Sequence, residues 1–148
     1  MTTSLGENLQ CSIARSLEVL GEKWTLLVVR DALGGITRFS DFQESLGIAR
    51  NLLTDRLATL VEYGVMERRS YREDGARERY EYVLTDTGRE LRYVIAALIS
   101  WGDAHRPTDL GPSRVVQDTQ THRPLRLAFL DEYGAEVPTE RVVAVATR

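Results

Sequence analysis

Residues 38–63 read RFSDFQESLGIARNLLTDRLATLVEY, and two runs of apolar spacing inside them decide the fold. Phe39, Phe42 and Leu46 recur at i, i+3 and i+7, the face of a short helix, and Ser40 with Gln43 matches the capping-box pattern S/T-x-x-E/Q. That helix ends at Gly47. Only Gly47, Ile48 and Ala49 precede a second periodic run in which Leu53, Leu57, Leu60 and Val61 share a face. Two helices joined by a tight, glycine-containing turn predict a helix-turn-helix.

The flanks extend the pattern. Upstream, SIARSLEVLG spaces Ile13, Leu17 and Leu20 as a helix stopped by Gly21, expected as a left-handed C′ residue. Residues 23–33 place Trp24, Leu27, Val28 and Ala32 on one stripe, and Gly34-Gly35 stops it. Downstream of Gly64 the period becomes near-alternating: VMERRSY, a polar REDGAR, then ERYEYVL with Tyr80, Tyr82 and Leu84 on one side. This predicts a hairpin with a charged tip. Thr85 or Thr87 caps a long helix over 85–105, on which Leu91, Val94, Ile95, Leu98 and Trp101 form a strip suited to packing against another helix. From Pro107 the chain is loop-like, and PLRLAFLDEYGAEVPTERVVAVA predicts a second hairpin around a DEYG turn. The expected fold class is mainly α with small β (α+β). A winged helix-turn-helix with an N-terminal helix and a long post-wing dimerisation helix spans 1–106, and a β-hairpin extension spans 107–148.

Bulk properties bound the function. The 148 residues fit one domain with a tail, and 43% apolar with 28% charged residues matches a folded globular chain. The start, MTTSLGENLQ, has no basic segment followed by an apolar run, and no stretch approaches the roughly 18 uncharged residues of a spanning helix, so a cytoplasmic place with no membrane partner is expected. The single cysteine, Cys11, excludes an intramolecular disulfide and a thiolate-rich zinc site. His105 and His122 have no thiol partner nearby and read as surface or packing residues. No metal and no cofactor is expected. No Ser-His-Asp, Cys-His, phosphate-loop or glycine-rich nucleotide pattern is present, which argues against an enzyme. Asp41 with Glu44, and Asp131 with Glu132, read as solvated faces.

On the second helix of the motif, Leu53, Leu57 and Leu60 define the inner side, and Arg50, Asn51, Thr54 and Asp55 lie opposite, with Arg56 towards the flank. Arginine forks onto guanine, asparagine onto adenine, and threonine reaches a base or a phosphate. Any surface helix shows polar residues, so the weight comes from the surrounding order of elements. Leu52, beside this face, either meets a thymine methyl or packs on a neighbouring helix. Around the hairpin, Arg68, Arg69, Arg72, Arg77 and Arg79 face Glu67, Glu73, Asp74 and Glu78, so a phosphate-gripping wing competes with a salt-bridged one. Arg72 and Arg77 are favoured for phosphate. The implied partner is double-stranded DNA, with the helix choosing sequence and the wing supplying affinity. The net charge of −3 weighs against this, and any basic surface must arise by spatial sorting. A winged-helix module for protein contact, without specific DNA binding, is the alternative. Trp24, Tyr93, Trp101 and Phe129 either line a small-molecule effector pocket or form plain core.

Taken together, Cys11, GEKWTLLVVRDAL, TRFSDFQESLGIA, LLTDRLATLVEYGVMERR, RYEYVLTDTGREL and Trp101 resemble the HxlR-type regulators over residues 11–102, a branch of winged-helix proteins similar in fold to the MarR group. The resemblance implies a transcription regulator, a repressor rather than an activator. It also implies a homodimer joined through the N-terminal and post-wing helices, with Ile13, Leu17, Leu91, Val94, Leu98 and Trp101 at the contact. Two recognition helices then address a near-palindromic operator with half-sites about 34 Å apart. Two positions depart from the family pattern: Glu73-Asp74-Gly75-Ala76 replaces a proline-containing wing tip, and Ala49 replaces a polar helix cap. Cys11 falls where family members carry a thiol reactive towards oxidants, quinones or aldehydes. A helix N-terminus with Arg15 one turn on favours the thiolate, whereas free cysteine commonly just packs. Similar extensions in relatives carry metal-ribbon cysteines, which are missing here.

Overall fold

In the computed structural model, which describes residues 10–147, α1 (Ser12–Leu20) leads into α2 (Lys23–Leu33), α3 (Phe39–Leu46) and α4 (Arg50–Glu62). Strands β1 (Met66–Tyr71) and β2 (Arg79–Leu84) follow, then α5 (Asp86–Arg89), α6 (Arg92–His105), β3 (Phe129–Leu130) and β4 (Glu136–Val137). The order of helices and hairpin is the one the periodicity predicts. The chain packs as two units, one up to Ile95 and one from Ala96 onward.

The core of the first unit follows from the spacing of its apolar residues. Val28 and Val29 of α2, Phe42 of α3, and Leu53, Leu57 and Leu60 of α4 are fully buried, and Met66 of β1 nearly so. The turn between α3 and α4 is set by Gly47, whose φ of 63° lies in the left-handed region that glycine enters without a Cβ penalty. Its N–H donates to the Gln43 carbonyl at 2.9 Å, which ends α3. Asp31 is buried at the end of α2, where it accepts the Ser45 hydroxyl at 2.7 Å and the Arg30 Nε at 2.9 Å. These bonds fix α2 to α3, because a buried carboxylate is tolerated only when paired.

β1 and β2 pair antiparallel from Met66↔Leu84 to Tyr71↔Arg79. The Tyr82 N–H donates to the Thr37 carbonyl at 2.7 Å, and Arg38 bridges to Glu81, so the wing is stitched to the segment that begins α3. Behind the wing, Thr85 caps α5 by accepting the Gly88 N–H at 3.1 Å, and its hydroxyl donates to the Gly64 carbonyl at 2.5 Å.

Four local expectations are corrected. Gly21 is not left-handed (φ −71°); it is needed because a Cβ there would lie 2.4 Å from the Leu17 carbonyl oxygen. The Ser40–Gln43 capping box does not form, since α3 already begins at Phe39 with Arg38 at its N-cap, and the Gln43 amide donates instead to the Ile48 carbonyl at 3.5 Å. The inner side of α2 holds Thr25 and Asp31 in full, while Trp24 is only half-buried. The post-wing helix is not continuous. Leu91 and Tyr93 donate to carbonyls three residues back and the Arg92 side chain takes the Arg89 carbonyl at 2.9 Å, which separates α5 from α6.

In the second unit the expected hairpin is present but short, with Phe129↔Val137 and Leu130↔Glu136 in register. Its turn is held by the Asp131 carboxylate, which accepts the N–H groups of Tyr133 at 2.9 Å and Ala135 at 3.0 Å. Among the described residues of this unit, only Ala96 is buried.

Candidate nucleic-acid interface

Helix α4 divides its side chains by the period of the helix. Leu53, Leu57 and Leu60 point into the core, and half-buried Leu52 packs against it, which decides its alternative in favour of packing. Arg50, Asn51, Thr54 and Asp55 are all exposed on the first turn and a half. The Arg50 guanidinium lies 5.0 Å from the centroid of the Phe39 ring, and the Thr54 hydroxyl donates to the Arg50 carbonyl at 2.9 Å. Ala49 stands at the N-cap with no side-chain cap, so the first N–H groups of α4 stay open towards a ligand.

Arg56 behaves differently from its neighbours. Its side chain is only 18% exposed, it lies 3.7 Å from the Glu22 carboxylate, and its Nε is buried without a hydrogen-bond partner. It joins α4 to the start of α2 and is corrected from a groove residue to a packing one.

Only part of the wing's mixed charge is taken up by local contacts. Arg69 binds Glu67 at 2.5 Å, and the Arg68 guanidinium covers the Tyr80 ring at 4.3 Å, the diagonal neighbour in a register that sets Arg68 opposite Tyr82. At the tip the Arg72 Nε donates to the Ala76 carbonyl at 2.9 Å, and Gly75 takes a φ of 76°. Arg77 and Arg79 are exposed, as are Asp74 and Glu78.

One residue was missed by the sequence reading. Arg38 lies 3.0 Å from the Glu73 carboxylate and 4.5 Å from the centroid of the Tyr71 ring, so it clasps the wing tip to the start of α3. The hydrogen bond Arg38 donates to Glu73, then the field of Tyr71, raise its pKa above the ordinary arginine value. Neither periodicity nor a motif marks it, because both partners come from a strand and a loop more than thirty residues away.

The residues assigned to a dimer contact also separate. Ile13 (70% exposed), Leu17, Val94, Leu98 and Trp101 (60%) present apolar surface, whereas Leu91 is half-buried against the core of its own protomer. Cys11 is exposed at the N-cap of α1; the Arg15 guanidinium bonds the Gln10 carbonyl at 3.0 Å and the Ser12 hydroxyl at 3.2 Å. Trp24 packs on the core, while Tyr93, Trp101 and Phe129 are exposed, and the Trp101 ring lies 5.2 Å from that of His105. Among the described residues, no three His, Cys, Asp or Glu side chains are grouped to hold a metal, and no helix is long and apolar enough to cross a membrane.

A helix-turn-helix preceded by two further helices and followed by a two-stranded wing defines a winged helix-turn-helix protein. The chain belongs to the HxlR-like helix-turn-helix family, whose model matches residues 19–109. It is 46% identical over 101 residues to an uncharacterized HTH-type transcriptional regulator of Mycobacterium tuberculosis (strain ATCC 25618 / H37Rv), a match covering 68% of this chain but only 63% of that protein. The crystal structure of PA1607, a protein proposed to be a transcription factor, superposes with a TM-score of 0.80 at 36% identity, covering 93% of this chain and 95% of that one. The redox regulator HypR in its reduced form gives a TM-score of 0.58 at 28% identity, covering 66% of this chain and 94% of that one.

Proposed function

We propose that this chain is a DNA-binding transcription regulator that acts as a homodimer on a near-palindromic operator, as a repressor. The observation that carries the reading is the outward row Arg50, Asn51, Thr54 and Asp55 on a helix whose leucines are spent inside the protomer. Such a helix offers hydrogen-bonding groups to base edges in the major groove, starting at its N-terminus. Arg72, Arg77 and Arg79 on the wing, assisted by Arg68 and Arg69, supply phosphate contacts; Arg38 holds that wing in place. Exposed Ile13 and Leu17 on α1, with Val94, Leu98 and Trp101 on α6, support a two-fold contact that sets two copies of α4 about one helical turn apart.

Anisotropy titration with the upstream intergenic duplex and a random duplex, over a range of salt, tests this. Arg50→Ala is expected to cost about 1–3 kcal/mol on the operator and to relax discrimination, while Arg77→Ala weakens both duplexes alike and lowers the salt slope by about 1. Salt-insensitive retention favours a protein-contact module instead.

Cys11 adds a signal input to this reading. It is exposed, it begins α1 next to the proposed seam, and HypR, a redox regulator, is similar over the shared region. Oxidation joining or modifying Cys11 alters the spacing of the recognition helices. Diamide is expected to release wild type from the operator and to leave Cys11→Ser bound; equal responses refute the input.

A further inference from the structure

The accessible surface of the chain is 11879 Å². Two separate folded bodies of roughly two thirds and one third of its 16.7 kDa would together expose only about 9,100 Å². Ten fully extended residues, the number outside 10–147, add at most about 1,600 Å². A surplus on the order of 1,200 Å² per protomer is left, whatever the arrangement of the two units.

Much of the exposed apolar surface lies on the extension. Leu125, Leu127, Phe129, Leu130, Val143 and Val145 are each at least half exposed. Yet the segment is shaped in detail. Asp118 accepts the Gln120 N–H at 2.9 Å and the Thr121 hydroxyl at 2.9 Å, Asp131 holds the hairpin turn, and Arg126 grips both carboxylate oxygens of Glu136 at 2.7 and 2.5 Å. The Arg126 hydrogen bonds hold the Glu136 carboxyl below the usual carboxylate range. A hairpin with two residues per strand has no independent stability in water. A fixed shape without an interior needs a cover.

We propose that the extension is an intersubunit arm whose face of Leu125, Leu127, Phe129, Leu130, Val143 and Val145 is buried against a second copy of this chain. The arm enlarges the α1 and α6 contact and so rests on the homodimer reading.

Four observations choose a second copy over another occupant. The chain leaves α6 at His105, a few residues after Leu98 and Trp101, so the extension starts at the seam. Two protomers contribute on the order of 2,400 Å² together, within the range of obligate homodimers. The Arg126 guanidinium is occupied by Glu136 of β4, and the proposed face is made of leucine, phenylalanine and valine, which fit protein rather than phosphate. PA1607 matches nearly the whole chain, extension included, whereas HypR leaves a third of it unmatched, so the arm is a built addition to a winged-helix body.

Isotope-filtered NOE spectroscopy on a mixture of methyl-labelled and unlabelled full-length protein, with sedimentation equilibrium alongside, tests the arm. A dimer mass with intersubunit NOEs to the Leu127 and Val143 methyl groups is expected. A dimer with intersubunit NOEs only from α1 and α6 overturns the arm and leaves the homodimer; a monomer mass overturns both. Leu127→Asp combined with Phe129→Asp is expected to raise the dimer dissociation constant at least tenfold with unchanged circular dichroism, and an unchanged constant refutes the proposal.

Discussion

Helix α4 and the C-terminal extension each carry a row of leucines, but the rows end up in opposite places. On α4, Leu53, Leu57 and Leu60 are fully buried, and the polar residues between them become the outer face. On the extension, Leu125, Leu127 and Leu130 stay exposed, while its polar groups Asp118, Asp131, Arg126 and Glu136 are consumed by local bonds. The contrast teaches where each region finds its stability. α4 is complete within one protomer and can spend its surface on a ligand, whereas the extension has its turns but not its core, and awaits one.

The largest effect that could break this contrast is on stability. Leu57→Ala removes a fully buried side chain and is expected to cost about 3 kcal/mol at any protein concentration. Leu127→Ala is expected to change the unimolecular stability by less than about 0.5 kcal/mol and to act only on the concentration-dependent part of unfolding. Urea titrations at two protein concentrations separate the cases; equal, concentration-independent shifts would erase the distinction.

A second substitution probes the packing of the unit that holds α4. Gly88 sits where a Cβ would approach the Val65 carbonyl oxygen to 2.0 Å, with backbone on the receiving side. Gly88→Ala is therefore expected to destabilise by about 2 kcal/mol through overpacking behind the wing. A thermal melt indistinguishable from wild type would show that α5 shifts freely.

The smallest expected effect concerns Arg38. Its ion pair with Glu73 is exposed, and such pairs contribute well under about 1 kcal/mol to stability. Arg38→Ala is therefore expected to leave the unfolding midpoint nearly unchanged and to weaken duplex binding a few-fold by freeing the wing, with Glu73→Gln doing the same. If Arg38→Ala lowers the salt slope and Glu73→Gln has no effect, Arg38 is itself a phosphate contact.

Much of this architecture was legible in the chain, and the reason is local. The 3.6-residue spacing of Leu53, Leu57 and Leu60, the glycine at 47 and the change of period after Gly64 are consequences of backbone geometry that tertiary contacts reinforce. The outward row on α4 came with them, since fixing one face of a helix fixes the other. What stayed hidden depends on partners from distant segments. Arg56 reads as a groove residue at the flank of α4 until its burial beside Glu22 turns it to packing, and Arg38 has no pattern until Tyr71 and Glu73 arrive from the wing. The break between α5 and α6 escaped for a related reason: the Arg92 side chain competes for a backbone carbonyl, which apolar periodicity does not register.

Two copies of α4 reading major grooves are tested most directly by methylation interference on the upstream intergenic duplex, because it reports contacts at guanine N7. Two clusters of interference about one helical turn apart are predicted, with Arg50→Ala losing a guanine from each. Interference in a single cluster, or binding that methylation leaves untouched, would contradict it.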